Sequence, residues 1–344
     1  MKIIAADVGG TKTRLIYADA KEPQNVLYEA RYKSAEFDSF APLLETFLQD
    51  SGSSASQVET LALALPGLVS SDTARLTNLP WVIKKQTLKD TFGIRNVSFM
   101  NDFQASAFGT GNLCDKDRLV LNPGAENTDM VNNNATRVAV GAGTGLGVAW
   151  AEGHTNTTCA HDSEGGHIDF APVDETQVHL LQFLQKRFGH VSYERILSGE
   201  GLVSLYEFCT ASNGNGKEKT EPPIQGITAA WVNKQSENNA AADKALSLFV
   251  QIYGAYIGNI ALLFKPRGGI FITGGIAAKM VNKMQSEDFI NAYLNKGRMR
   301  TLVEQIAVYL VTNERIGVLG VMSEAARLLQ TPVQKTSAQQ ASSQ

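Results

Sequence analysis

Cysteine is scarce in this sequence: its three residues, Cys114, Cys159 and Cys209, lie far apart and form no CxxC pair. Such spacing provides neither the disulfide framework of a small secreted protein nor a cysteine zinc motif. The first residues also lack the long apolar core and small-residue cleavage site of a secretory signal. We therefore expect buried free thiols and a cytoplasmic location.

An excess of basic charge is missing as well. Lys and Arg number 31 against 34 Asp and Glu, so the net charge is −3. This charge gives no general attraction to nucleic acid or to anionic lipid, and small molecules or other subunits are the expected partners. The 344 residues, 43% of them hydrophobic, exceed what one compact core usually needs, so two domains are expected.

Two common nucleotide-binding motifs do not occur. In the glycine-rich segment 141–147, the dinucleotide motif G-x-G-x-x-G fails in every register, because Leu146, Val148 and Trp150 occupy the sixth position. No G-x-x-x-x-G-K-[ST] is present either. Rossmann and P-loop proteins are therefore disfavoured.

Charge is absent from residues 245–264, a stretch about long enough to cross a bilayer. The stretch nevertheless contains Ser247, Gln251 and Asn259, and its two glycines suit close helix packing. We expect a buried core helix, with a membrane helix as the alternative.

Apolar strands and helices alternate along the chain, which favours an α/β layer fold. The predicted elements, in order, are a hairpin at 2–18, a helix within 36–50, strands at 60–65 and 97–100, a second hairpin at 137–151, helices at 178–183, 202–208 and 245–264, a strand at 269–273, a helix at 280–294, a strand at 306–311 and a helix at 319–329. Residues 122–136 and 211–223 are predicted insertion loops.

The two hairpins resemble each other. When Gly10-Thr11 is aligned with Gly143-Thr144, the segment LIYA falls on VAWA. Short apolar hairpins can also match by chance, so the repeat alone is weak evidence. It favours two related lobes, each of which opens with a hairpin.

Both hairpin turns are rich in glycine and threonine. Glycines let backbone N–H groups approach an anion closely, and Thr hydroxyls add donors. Residues 7–13, DVGGTKT, and 141–147, GAGTGLG, therefore predict phosphate contacts, with ordinary hairpin turns as the alternative. Asp7, at the end of the first strand, could hold Mg²⁺ through water.

Two further groups of polar residues are candidates for chemistry. Asp102 follows Asn101 at the carboxyl end of a predicted strand, where α/β proteins present reactive groups, although Asp there could equally cap a helix. Glu164 and His167 flank a glycine pair and, with Glu194, could bind a polar ligand. Zinc is the competing ligand, because a second histidine lies six residues before His167.

Six motifs in this order resemble bacterial-type glucokinases. They are DVGGTKT at 7–13, NDF at 101–103, GAGTGLGVA at 141–149, SEGGHIDFAP at 163–172, HVSYERILSGEGL at 190–202 and GGIAAK at 274–279. The resemblance extends from residue 3 to residue 329, and the cysteine-rich zinc motif of the related repressor/kinase sugar family is absent. Glu200 stands where that resemblance leads us to expect Pro, and Lys12 where Asn is usual.

The resemblance implies a two-lobed α/β fold of the actin/hexokinase (ribonuclease H-like) type, with an ATP and sugar cleft between the lobes. The expected domains are a small one, 1–111 plus about 312–330, and a large one, 112–311, followed by a disordered tail at 331–344. It also implies a homodimer, while the net charge and the core-helix interpretation above lead us to expect neither nucleic acid nor a membrane as a partner.

The resemblance implies roles for individual residues. Those expected to contact the nucleotide are Asp7, Gly9, Gly10, Thr11, Lys12, Gly143 and Thr144 at the phosphates and Gly274 and Gly275 at the adenosine. Those expected to bind the sugar are Asn78, Asn101, Asp102, Glu164, His167 and Glu194. Asp102 is also the expected general base, and Asp7 the expected Mg²⁺ ligand.

The implied activity is ATP- and Mg²⁺-dependent phosphorylation of glucose to glucose 6-phosphate, feeding glycolysis. Two alternatives remain at this point: a non-catalytic sugar sensor on the same fold, and a different ATPase of the superfamily. Retention of Asp102 and both glycine turns argues against the first, and the set of Glu164, His167 and Glu194 argues against the second.

Overall fold

The computed structural model describes residues 1–22, 25–70, 72–76, 79–125, 135–153, 158–211 and 226–330. These residues form two compact units: unit 1 contains the described residues of 1–102 and 318–330, and unit 2 those of 103–153 and 158–317. The predicted domain limits stay a prediction. The predicted tail at 331–344 lies outside the described residues, as do most of the two predicted insertion loops.

The strands and helices of the described residues have the following bounds. The strands are β1 (Lys2–Val8), β2 (Lys12–Asp19), β3 (Val26–Lys33), β4 (Val58–Leu65), β5 (Leu68–Val69), β6 (Thr73–Arg75), β7 (Val82–Lys84), β8 (Asn96–Asn101), β9 (Arg118–Asn122), β10 (Arg137–Ala142), β11 (Leu146–Glu152), β12 (Cys159–Ser163), β13 (Ile270–Thr273) and β14 (Val308–Val311). The helices are α1 (Phe40–Asp50), α2 (Lys85–Phe92), α3 (Asp102–Gly109), α4 (Glu175–Phe188), α5 (Gly199–Ala211), α6 (Ala229–Gln235), α7 (Ala240–Phe264), α8 (Val281–Met284), α9 (Glu287–Leu294), α10 (Arg300–Glu304) and α11 (Ile316–Gln330).

Unit 1 is built on a five-stranded sheet of order β3-β2-β1-β4-β8. β1 pairs antiparallel with β2 and parallel with β4, so the predicted hairpin is confirmed. The predicted helical stripe within 36–50 is also confirmed, because the apolar residues of α1 at helical spacing are all buried: Phe40, Leu43, Leu44, Phe47 and Leu48. A smaller antiparallel sheet, β5-β6-β7, completes this unit.

Unit 2 repeats the strand order of unit 1. Its sheet has the order β12-β11-β10-β13-β14-β9, in which β10 pairs antiparallel with β11 and parallel with β13. The outer pairs match as well: β2–β3 and β11–β12 are antiparallel, and β4–β8 and β13–β14 are parallel. The repeat seen in the two glycine hairpins therefore corresponds to duplicated sheet topology, with β9 as an addition.

Helix α7 forms the centre of unit 2, where it packs against α5, α6 and α9. Among the described helices, it alone is long and apolar enough to span a membrane by length and composition, with a mean hydropathy of 1.6 over its most apolar window. That window is 72% buried inside the protein. This burial is what the core-helix interpretation of residues 245–264 predicts.

Some expectations are wrong in detail. The predicted helix at 280–294 is divided into α8 and α9, because the Ser286 hydroxyl donates to the Lys283 carbonyl oxygen at 2.6 Å and ends the first helix. β3 was not predicted, since its half-exposed residues show no clean alternation. The cysteines are free, but Cys114 and Cys159 are exposed, in a surface turn and in the edge strand β12; only Cys209 is buried.

Candidate active site

The first glycine turn lies between β1 and β2 in unit 1. The Gly9 N–H donates to the Lys12 carbonyl oxygen at 3.0 Å, and a side chain at Gly9 would place its Cβ 2.7 Å from that oxygen. Glycine is therefore required at this position. Gly10 is partly exposed and Thr11 and Lys12 are exposed, so the donors of the turn are available to an anion.

Ser34 stabilises this turn through hydrogen bonds, a role that the sequence did not predict. Its buried hydroxyl donates to the Gly9 carbonyl oxygen at 2.7 Å and lies 3.0 Å from the Thr13 hydroxyl, which is also buried. The Ser34 N–H donates to the Thr11 carbonyl oxygen at 3.1 Å. Because the one Ser34 hydroxyl proton goes to Gly9, the Thr13 hydroxyl must be the donor to Ser34.

Asp7 stands at the carboxyl end of β1, one residue before the strand ends. Burial raises the pKa of its carboxyl group above the ordinary value of 3.8. The described residues contain no cluster of three or more His, Cys, Asp or Glu side chains that could enclose a metal by themselves. A single partly exposed carboxylate beside a phosphate-type turn suits Mg²⁺, which keeps most of its water and binds through one or two carboxylates plus phosphate.

The second glycine turn joins β10 to β11 in unit 2. The Gly143 N–H donates to the Gly145 carbonyl oxygen at 2.8 Å and closes the turn, and the Gly199 N–H at the start of α5 donates to the Gly143 carbonyl oxygen at 2.9 Å. The outer glycines of the motif, Gly141 and Gly147, leave room for a neighbouring aromatic ring. Gly141 and Gly147 pair across the hairpin, and a Cβ on either would run into the ring of Phe103.

A cavity of about 540 Å³ adjoins this turn within unit 2. Gly143, Thr144 and Gly275 line it, so three residues predicted to contact the nucleotide meet at one place. Gly274 immediately precedes Gly275 and has φ +88°, and a Cβ there would lie 2.5 Å from the Ala142 carbonyl oxygen. The remaining wall is mainly apolar, with Leu202, Val203, Ile227, Ala229, Ala230, Ile276 and Met280, and is completed by Gly199, Glu200, Thr228, Asn233 and Lys279. Size and lining suit a purine nucleoside.

Asn101 and Asp102 stand where β8 passes into α3. Asn101 is the last residue of β8, paired in register with Leu65, and Asp102 is the first residue of α3. Both are partly exposed. The strand-end position is confirmed, and it is compatible with both the helix-start and the base interpretations.

Three predicted sugar ligands come together in unit 2. His167 Nε2 lies 3.7 Å from Glu164 Oε2 and 3.8 Å from Glu194 Oε1, although Glu194 is 27 positions further along the chain. The other histidine of the zinc alternative, His161, stacks on Trp150 with a centroid distance of 5.1 Å. The cluster contains two carboxylates, which can accept hydrogen bonds from hydroxyl groups, and an imidazole, which can accept or donate them.

A family model for glucokinase matches residues 4–328. The chain belongs to the glucokinase family.

Individual glucokinases agree with this over nearly the whole length. The glucokinase of Nostoc sp. (strain PCC 7120) is 34% identical over 349 residues, which cover 95% of this chain and 99% of that protein. The crystal structure of a glucokinase from an Antarctic psychrotroph superposes with a TM-score of 0.80 at 28% identity, covering 94% of this chain and 98% of that one. The predicted fold and enzyme class are thus confirmed: the protein is an α/β sugar kinase of the two-lobed type.

A more distant structure shares the fold. A ROK family glucokinase from Streptomyces griseus, crystallised with glucose and AMPPNP, has a TM-score of 0.58 at 18% identity, covering 94% of this chain and 99% of that one. Of the predicted sugar ligands, Asn78 lies outside the described residues.

The buried Tyr256 and the partly buried Asn259 of α7 support the sugar-type cluster, and sequence patterns did not reveal them. The Tyr256 hydroxyl donates to the Gly165 carbonyl oxygen at 2.8 Å, and Asn259 Nδ2 donates to the Tyr193 hydroxyl at 3.1 Å. The rings of Tyr193 and Tyr256 lie 4.5 Å apart. The two segments that carry His167 and Glu194 are therefore fixed to one core helix.

Proposed function

We propose that this protein transfers the γ-phosphoryl group of ATP to the 6-hydroxyl of glucose, giving glucose 6-phosphate for glycolysis. The observation that carries the proposal is the pairing, within unit 2, of a nucleotide-sized cavity with the hydroxyl-binding cluster of Glu164, His167 and Glu194. Family membership and the glucose–AMPPNP complex of a structural neighbour support the same pair of substrates.

In the proposed reaction the sugar O6 forms a bond to the γ-phosphorus while the bond from that phosphorus to the β,γ-bridging oxygen breaks and ADP leaves. Asp102 accepts the proton of the sugar hydroxyl and later releases it to solvent. Because such transition states are loose, the other residues act mainly by positioning and by neutralising charge. The amides of the two glycine turns would bind phosphate oxygens.

The remaining residues would hold the substrates. Asn101, Glu164, His167 and Glu194 would bind sugar hydroxyls, and Gly274 with Gly275 would flank the adenosine. Bound Mg²⁺ would neutralise charge on the phosphates, and Asp7 would hold it through water. On the family resemblance we also propose a homodimer, which a sedimentation experiment would check; the cytoplasmic location stays a prediction.

The proposal is tested by a coupled assay for glucose 6-phosphate with Mg-ATP, run in parallel with mannose, fructose and glucosamine. Glucose phosphorylation at a kcat of about 1–10³ s⁻¹ is expected, the usual range for enzymes. A protein that binds hexoses but phosphorylates none of them would be a sensor, and the proposal would be wrong.

Asp7→Asn is expected to raise the thermal stability of the ligand-free enzyme at neutral pH and to lower kcat with Mg-ATP. Burial raises the pKa of Asp7, so the folded state binds its proton more tightly than the unfolded state does. The free energy of unfolding therefore falls as the pH rises from 3.8 through the raised pKa of Asp7. Asn has no ionisable group, so the variant does not lose this stability. Melting curves at pH 3.5 and 7.5 should differ between the variant and the wild type only at the higher pH.

Asp19→Asn is the matched control for this experiment, because a hydrogen bond from the Lys21 N–H and another from Lys2 lower the pKa of Asp19. Removing that carboxylate should not raise stability at neutral pH. Equal melting temperatures for Asp7→Asn and wild type at pH 7.5 would contradict the assigned cost of burying the charge.

Ser34→Ala is expected to raise KM for ATP about tenfold, which corresponds to roughly 1.4 kcal/mol, with KM for glucose unchanged. The substitution leaves the buried Thr13 hydroxyl and the Gly9 carbonyl oxygen without their partner, so the first turn loses its support. Thr60→Val is the matched control, since Thr60 is fully buried in the same sheet but distant in sequence from the turn. Steady-state kinetics giving the same KM for ATP in both variants would refute this role.

A further inference from the structure

The two carboxylate oxygens of Glu194 have different surroundings. Oε2 accepts a hydrogen bond from the Leu146 N–H at 2.9 Å, at the end of the second glycine turn. Oε1 lies 3.8 Å from His167 Nε2, within the sugar-type cluster. The Glu194 side chain is 30% exposed, whereas that of Glu164 is 86% exposed. Glu194 is thus an integral part of two groups of residues that the proposed function assigns to different substrates.

The approach of Glu194 to the turn depends on glycine at position 145. A Cβ on Gly145 would lie 2.5 Å from Glu194 Oε2, closer than carbon and oxygen can pack. Gly145 also accepts the hydrogen bond from the Gly143 N–H that closes the turn. Gly143 and Thr144 then line the nucleotide-sized cavity. A short, continuous path therefore leads from the Glu194 carboxylate to that cavity.

The position of Glu194 is set from the other side. Its neighbour Tyr193 is buried, donates its N–H to the Ile168 carbonyl oxygen at 3.0 Å, and accepts a hydrogen bond from Asn259 of α7. These contacts fix the backbone at residue 194 to the core independently of the turn. The Glu194 carboxylate can therefore position the second glycine turn.

We propose that Glu194 couples sugar binding to nucleotide binding: Oε1 engages a sugar hydroxyl while Oε2 holds residues 143–146 in the conformation that accepts phosphate. A hydroxyl on Oε1 fixes the side-chain rotamer, so the turn is already ordered when the nucleotide arrives, and the nucleotide binds more tightly. Linkage requires the same factor in the opposite direction. This inference rests on the proposed function.

The test is calorimetric titration of AMPPNP with and without saturating glucose, which needs no turnover. The wild type is expected to show a Kd ratio of at least about fivefold, the lower end of typical couplings. Glu194→Gln should reduce the ratio to below about twofold, because an amide has one acceptor oxygen and cannot serve both Leu146 and a sugar hydroxyl in the same way. Glu164→Gln is the matched control: it should weaken glucose binding but keep the ratio.

Gly145→Ala provides a second, independent variant, because it leaves the Glu194 side chain chemically intact and blocks its approach to the turn. Gly145→Ala should still bind glucose, but its ratio of AMPPNP Kd values without and with glucose should fall below about twofold. If Glu194→Gln no longer binds glucose, Gly145→Ala becomes the deciding variant. A wild-type ratio of one, a ratio retained in Gly145→Ala, or equal losses in Glu194→Gln and Glu164→Gln would each overturn the inference. If the wild type fails to bind glucose at all, the proposed function itself is wrong.

Discussion

Replacing Asp102 by Asn is expected to lower kcat for glucose phosphorylation by about 10²- to 10⁴-fold, the usual contribution of a positioned general base. Asn keeps the size and the hydrogen-bonding capacity of the side chain but cannot accept the hydroxyl proton. Glucose should still bind, because the hydroxyl remains within reach of a polar group. The coupled assay gives kcat, and titration of glucose gives its Kd separately.

The same variant separates the two interpretations of Asp102. This residue begins α3, and Asn is about as good as Asp at helix N-termini. If Asp102 served only to start the helix, Asp102→Asn would retain both rate and stability. The expected outcome is instead an unchanged melting temperature with a collapsed rate.

Glu164→Gln is the matched control for Asp102→Asn. It also removes one carboxylate that is assigned to a sugar hydroxyl, but it leaves the proposed proton acceptor in place. We expect it to raise KM for glucose with a much smaller change in kcat. A full rate in Asp102→Asn, or an equal loss of kcat in both variants, would show that the base assignment is wrong.

The features that sequence predicted well are local ones. The two glycine turns and the strand end at Asp102 each lie within a short segment, so their residue types and spacing were sufficient. The buried stripe of α1 follows from helical periodicity in the same way. Two related lobes could be predicted because the two hairpins share a pattern in a few consecutive residues, whereas the duplicated strand order was seen only in the structure.

The features that it missed depend on contacts between distant segments. Ser34 reaches Gly9 across 25 positions, and Tyr256 reaches Gly165 across 91. Nothing in the residues around Ser34 distinguishes it from other serines until β3 is placed beside β2. The sequence also grouped Glu194 with His167 as a possible site for a polar ligand, but spacing along the chain could not establish that two side chains from separate loops lie 3.8 Å apart.

Gly166→Ala is expected to destabilise unit 2 by about 3 kcal/mol, at the upper end of the usual cost of overpacking. Gly166 is buried, and a Cβ at this position would overlap the Leu146 carbonyl oxygen. Since the obstructing atom belongs to the backbone of β11, no side-chain rotation can relieve the overlap. For a unit of this size the corresponding fall in Tm is about 6–12 °C.

The displacement should also reach the candidate site, because Leu146 gives its N–H to Glu194 and Gly166 immediately precedes His167. We therefore expect KM for glucose to rise at least about tenfold, the equivalent of 1.4 kcal/mol. Gly111→Ala is the matched control in the same unit, since its Cβ would lie 3.6 Å from Arg137 Nη2, an ordinary contact distance. That variant should keep both its KM and its stability, or gain slightly from the reduced freedom of the unfolded chain. A normal melting temperature and a normal KM for glucose in Gly166→Ala would contradict this prediction. They would mean that β11 and the His167 segment can move apart at no cost. The close contact between Gly166 and the Leu146 backbone would then not be what holds the cluster of Glu164, His167 and Glu194 against the second glycine turn.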